Sequence, residues 1–139
     1  MNLDEKWMEI ALTQARKAEN QGEVPVGALI IKNNKVIGKA FNQPIYKNDP
    51  TAHAEIQVIR SAGEVIQNYR LVDTTLYVTL EPCIMCLGAI MHSRIQRLVF
   101  GVNDTKSGVC GSCVDLRNEK FFFHKLIINN GILEKECKQ

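Results

Sequence analysis

The 139-residue sequence contains no apolar run near the ~20 residues that a membrane-spanning helix needs. Its first residues, Met1-Asn2-Leu3-Asp4-Glu5-Lys6, mix acids with a base and lack the apolar centre of a secretory signal. No membrane association and a cytoplasmic location are therefore expected. A large charge of either sign is missing too. The formal charge of +2 does not announce a nucleic-acid partner, so any such binding has to come from a local patch. Internal repeats, low-complexity tracts and Pro/Gly/Ser linkers are absent, and residues 1–139 are expected to form one domain. That length suffices to bury roughly two-thirds of the unfolded surface.

What is present is more specific. Five cysteines in a chain of this kind point to metal binding or free thiols rather than a disulfide framework. Leu3, Trp7, Ile10, Ala11, Ala15 and Ala18 recur at spacings of three and four, which predicts an amphipathic helix over about 4–21, stopped by Gly22. Two β-rich runs, 26–32 and 35–41, flank Asn33-Asn34, a pair suited to a two-residue hairpin turn because Asn tolerates positive φ. Residues 42–51, with Pro44 and Pro50, are expected to be a loop. Helical spacing returns over 52–62, and 75–80 is a β-branched and aromatic run. Pro82 is expected to open a helix reaching about Ser93. Strands are predicted over 96–102 and 126–129, and a short helix over 134–139, while 103–124 resists assignment. The order implies an α/β fold with a mostly parallel or mixed sheet and helices on its faces. Sites in such folds form where helices begin at the carboxyl ends of strands.

Two motifs fall at those places: His53-Ala54-Glu55, and Pro82-Cys83-Ile84-Met85-Cys86. Together they offer one imidazole and two thiolates, one ligand short of a closed tetrahedral zinc site, and catalytic zinc keeps that fourth position open for water. Positions i and i+2 lie about 200° apart on a helix. His53 and Glu55 therefore converge only at a point beyond the helix N-terminus. Cys83 and Cys86, at i and i+3, share a face. Zinc, two thiolates and a neutral imidazole sum to zero charge, which leaves a bound water acidic enough to ionise near neutral pH. Glu55 is then the general base, passing that proton to a ring nitrogen and assisting departure of ammonia. The motif pair is the signature of zinc-dependent nucleobase deaminases.

Other conspicuous residues have plainer expectations. Cys110-Gly111-Ser112-Cys113 sits among glycines with no evident histidine or acidic partner, so a closed second zinc site is not expected there, and Cys137 is a thiol near the end of the sequence. His92 and His124 are expected to be hydrogen-bonded structural residues. Phe121-Phe122-Phe123 is expected to pack in a core or dimer contact, with base stacking the lesser alternative.

Several segments around these motifs resemble the bacterial tRNA-specific adenosine deaminases, of the cytidine-deaminase-like superfamily. They are Glu23-Val24-Pro25-Val26-Gly27-Ala28, Asp49-Pro50-Thr51-Ala52-His53-Ala54-Glu55, Asn68-Tyr69-Arg70-Leu71, Thr75 through Cys83, Met91-His92-Ser93-Arg94-Ile95 and Phe100 through Gly108. The likeness runs over nearly the whole chain. It implies a three-layer α/β fold with a five-stranded mixed sheet flanked by helices, in a homodimer with one Zn2+ per subunit. It also implies conversion of the wobble adenosine of a tRNA anticodon stem-loop to inosine. Position by position, it makes His53, Cys83 and Cys86 the zinc ligands and Glu55 the proton shuttle. Asn42 would hydrogen-bond the flipped adenine, and the Val24 region and Ala54 backbone would line the pocket. Asp104 and Lys106 would touch the nearby sugar–phosphate. Family members usually carry a longer C-terminal helix with Phe-Phe and basic residues, whereas this sequence stops at Gln139, and the Cys110/Cys113 pair is not a usual part of the pattern. Two rival readings remain: a deaminase of a free base or nucleotide such as guanine or dCMP, and a non-catalytic zinc-stabilised RNA-binding module.

Overall fold

The computed structural model describes residues 1–139. Helix α1 (Leu3–Asn20) leads into a hairpin of β1 (Gly27–Lys32) and β2 (Lys35–Phe41). A one-turn helix α2 (Pro44–Lys47), then α3 (Ala54–Ile66), β3 (Thr75–Leu80), α4 (Ile84–His92) and β4 (Arg97–Val102) follow. β5 (Ile127–Asn130) and α5 (Glu134–Lys138) complete the chain. The strands form one five-stranded sheet in the order β2-β1-β3-β4-β5. β1 runs antiparallel to both β2 and β3, and β3, β4 and β5 are parallel. This is the expected mixed sheet.

Strand alternation divides the core in two. Ala28, Ile30, Leu76, Val78, Leu98 and Phe100 face the helices α3 and α4, packing with Val58, Leu87 and Ile90. The intervening Leu29, Ile31, Tyr77 and Val99 face α1, packing with Trp7, Met8 and Ala11. Such alternation is what a sheet covered on both faces requires. Gly27 lets α1 approach closely, because a Cβ there would collide with the Ala11 carbonyl and the Ala15 amide. On this second face Asp4 ties helix to sheet. Its carboxylate accepts from the Tyr77 hydroxyl at 2.6 Å and from both Arg97 terminal nitrogens at 2.9 and 2.7 Å.

Several sequence expectations need correction. Trp7, Ala11, Ala15 and Ala18 are buried on α1 as expected, but Leu3 is exposed and Met8, Leu12 and Gln14 are buried as well, so the inward stripe is wider than the expected one and shifted to one side. The expected loop 42–51 contains α2, because Pro44 supplies the preset φ of a first helical turn. α3 begins two residues later than predicted and runs four further, to Ile66. Pro82 lies outside α4, whose N-cap is Cys83. The Asn33-Asn34 turn is as expected, with φ of 52° and 60°. Residues 103–124 hold no strand or helix, only an isolated bridge between Cys110 and Asp115. His124 makes the anticipated structural bond, to the Ile95 carbonyl at 2.5 Å, but His92 is exposed. Of the three phenylalanines only Phe122 packs against the core; Phe121 and Phe123 are exposed.

Candidate active site

α3 and α4 begin side by side on the same face of the sheet, and each has a reactive residue as its N-cap. His53 caps α3 in an extended conformation, placing Glu55 second in the helix. Cys83 likewise caps α4, placing Cys86 third. An N-cap side chain and the third helical residue are spatial neighbours, as in a capping box, so both sulfurs turn toward one point. His53 Nδ1 lies 3.7 Å from Cys83 Sγ and 3.5 Å from Cys86 Sγ. Tetrahedral zinc with ordinary Zn–N and Zn–S bonds has an N···S edge of about 3.6 Å. The three side chains are thus spaced and composed to hold a zinc ion, and three protein donors fill all but one tetrahedral position.

The surrounding electrostatics favour that use. The Cys83 thiol is held down to about 5, chiefly by the Cys86 thiol donating to it, with help from the Cys86 and Met85 amides at the start of α4. Cys86 is correspondingly pushed up, by that donation and by burial. Burial also pushes the Glu55 carboxyl up to about 7, so this acid exchanges a proton near neutrality.

Beside the three donors lies a cavity of about 210 Å³ lined by Val24, Val26, Asn42, His53, Glu55, Leu80, Glu81, Cys83, Asp104 and Ser107. The cavity brings together Val24, Asn42, His53, Glu55, Cys83 and Asp104. Lys106 is exposed and outside the lining, and Ala54 is buried behind it. Asn42 Oδ1 accepts from the Ala54 amide at 2.7 Å, which leaves the Asn42 amide nitrogen as its free polar group toward a ligand. Asp104 accepts from the Lys106 and Ser107 amides and the Ser107 hydroxyl, folding its own loop into a turn.

Two buried acids were not anticipated. Glu23 accepts from the Ile45 and Tyr46 amides at 3.2 and 2.8 Å, holding α2 against the loop before β1. Glu81 sits in the cavity wall itself. Neither has a side-chain partner that spacing alone would suggest.

A sheet of this topology, carrying a His-x-Glu at one helix start and Pro-Cys-x-x-Cys at the next, defines a zinc-binding nucleobase deaminase. The chain belongs to the cytidine and deoxycytidylate deaminase zinc-binding family, whose model matches residues 1–102. Its relatives narrow the likeness. It is 51% identical over 137 residues to the tRNA-specific adenosine deaminase of Haemophilus influenzae, covering 98% of this chain and 79% of that one. It is 43% identical over 137 residues to the tRNA-specific adenosine deaminase of Bacillus subtilis, covering 99% and 85%. One solved structure, from studies of A-to-I editing by tRNA:A34 deaminases at the wobble position of transfer RNA, superposes with a TM-score of 0.93. It is 42% identical and covers 96% of each chain. Guanine deaminase from Bacillus subtilis superposes with a TM-score of 0.72, at 39% identity over 81% of this chain and 71% of that one.

Proposed function

We propose that this chain deaminates the wobble adenosine of tRNA to inosine, with residues 1–139 as one catalytic unit. The observation that carries the reading is a buried carboxylate, Glu55, lining the same cavity as His53 and Cys83, two of the three metal donors. A purely structural zinc site, closed by four protein ligands, has no use for such an acid. His53, Cys83 and Cys86 would hold the zinc, which when bound supplies water ionised near neutral pH.

The protein's own groups then do the following. Glu55 takes a proton from the attacking water, delivers it to N1 of the purine as C6 becomes tetrahedral, and helps the amino group leave as ammonia. Asn42 orients the base through its free amide nitrogen. Val24, Val26 and Leu80 exclude water from the base. A cavity of about 210 Å³ lies below the roughly 300–1,000 Å³ of sites for larger ligands, so it admits an extruded base rather than a helix. An anticodon loop, already single-stranded, gives up that base at least expense. Asp104 lines the cavity, and the exposed Lys106, outside the lining, would meet the sugar–phosphate from the same loop. We further propose a cytoplasmic homodimer with one zinc per subunit; no helix is long and apolar enough to cross a membrane.

The likeness to guanine deaminase makes free-base chemistry the second reading. Zinc-loaded protein incubated with an anticodon stem-loop, and separately with guanine and dCMP, decides between them. Inosine at the wobble position is expected, with little ammonia from the small molecules. Ammonia from guanine or dCMP alone would reject the RNA reading, and no product from any of them would favour a non-catalytic RNA-binding module.

A further inference from the structure

The cavity holds a second buried acid, Glu81, whose surroundings are the reverse of those at Glu55. It is 2% exposed and directly precedes Pro82-Cys83. Its Oε1 accepts from the Asp104 amide at 3.0 Å and from the Ser112 hydroxyl. Oε2 accepts from the Cys110 and Ser112 amides at 2.8 and 3.3 Å. All four donors come from residues 104–112, a stretch without regular structure of its own. Gly108 lies so close beneath the carboxylate that a Cβ there would collide with it and with the Asp104 carbonyl. The backbone continues the same stitching: the Glu81 amide bonds the Val102 carbonyl at 2.9 Å, and the Val109 amide bonds the Pro82 carbonyl at 3.1 Å.

We propose that Glu81 is a positioning residue: its carboxylate organises the 104–112 loop into the wall of the substrate cavity and ties that wall to the segment bearing Cys83. Four donors occupy its acceptor sites, so it neither shuttles protons nor ligates metal. It acts through Asp104 and Ser107, the loop residues that line the cavity. The proposal rests on the tRNA reading for its substrate but not for its structural content. Backbone amides bound to a carboxylate are strong hydrogen bonds. A neutral amide in its place turns one acceptor into a donor facing donors.

Glu81→Gln, purified with zinc, tests this by three readouts. Hydrogen exchange at the Asp104, Cys110 and Ser112 amides is expected to quicken at least about ten-fold, while that of α1, β1 and β3 stays as in the parent. Zinc is expected to remain at one per chain. For an anticodon stem-loop, KM is expected to rise about ten-fold or more, with kcat falling no more than about three-fold. Ser112→Ala, which leaves the carboxylate in place and removes one donor, is expected to raise KM about two- to five-fold and covers the case in which Glu81→Gln folds poorly. Unaltered exchange and KM in both variants would overturn the proposal. So would a loss confined to kcat, which would make Glu81 a proton-transfer group. If the parent itself leaves RNA untouched, the tRNA reading fails while hydrogen exchange still decides whether Glu81 holds the loop.

Discussion

α1 and the pair α3/α4 begin in opposite ways. α1 starts with a complete capping box: Asn2 accepts from the Glu5 amide at 2.8 Å, and Glu5 accepts from the Asn2 amide at 3.1 Å. α3 and α4 start with His53 and Cys83: His53 makes no capping hydrogen bond, and Cys83 offers the Met85 and Cys86 amides only a sulfur, a longer and looser acceptor than the Asn2 oxygen. At α3 the first amide is served instead by Asn42, from outside the helix. Serine, threonine, aspartate or asparagine at an N-cap is worth about 1 kcal/mol over residues that cannot cap. The face of the sheet that carries α1 has taken that stabilisation. The face that carries the cavity has given up those positions to metal donors, whose thiolates become fixed negative partners of the helix starts when zinc is bound. Stability and chemistry are thus assigned to different sides of one sheet.

The largest expected effect lies on the chemical side. Glu55→Ala is expected to lower kcat by about 10²–10⁴-fold while zinc content and thermal unfolding stay near the parent's. Turnover within ten-fold of the parent would remove Glu55 from the proton path. Chelation comes next. With free zinc about a thousand-fold above its dissociation constant, linkage adds about 4 kcal/mol to the folded state, and a strong chelator removes it. Activity should vanish with the metal, and the first turns of α3 and α4 should exchange their amides faster while α1 remains as before. Equal loosening of α1 would break the division between the two faces. On the scaffold side, Asp4→Asn removes the bidentate contact to Arg97, at a cost of about 1 kcal/mol in denaturant titration. The Arg97 guanidinium holds the Asp4 carboxyl below its ordinary value. The native contribution is therefore full above the unfolded pKa, about 4, and is lost as pH falls through the lower folded value. The deficit of the variant should shrink on acidification, with kcat at neutral pH unaltered.

Sequence patterns revealed the parts whose information is local. The bounds of β3 (Thr75–Leu80) follow from one β-rich run, and the Asn33-Asn34 turn from residues that tolerate positive φ. The donors His53, Cys83 and Cys86 are legible because ligand spacing within each motif reflects helix starts. Glu81 and Glu23 stayed hidden because their partners are backbone amides 22 to 31 residues away, which no side-chain period records. The first half of the stretch 103–124 was opaque for the same reason: its amides at Asp104, Cys110 and Ser112 bond a carboxylate outside it. The inward stripe of α1 was legible through Trp7, Ala11, Ala15 and Ala18, but its width was not, because alanines on several sides allow more than one rotation. Tertiary fit, through Met8 and the close approach at Gly27, selects one of them.

The smallest effect probes the comparison most directly, because it asks whether the α4 start is under-stabilised for the sake of its cysteine. In a chelator the metal no longer contributes, and only capping distinguishes residues at position 83. Because the Cys83 thiol is held down to about 5, the comparison belongs below that pH, where a serine hydroxyl accepts from the second or third helical amide better than a neutral thiol does. There Cys83→Ser should raise the stability of the metal-free protein by about 0.5 kcal/mol, and at neutral pH it should weaken zinc binding sharply. Asn2→Ala, at the already capped helix, should cost about 1 kcal/mol and leave zinc affinity alone. If Cys83→Ser lowers stability there instead, the Met85 and Cys86 amides are already well served by the sulfur even when it is protonated. The α4 start would then be as well capped as that of α1, and the contrast between the two faces would rest on the metal alone.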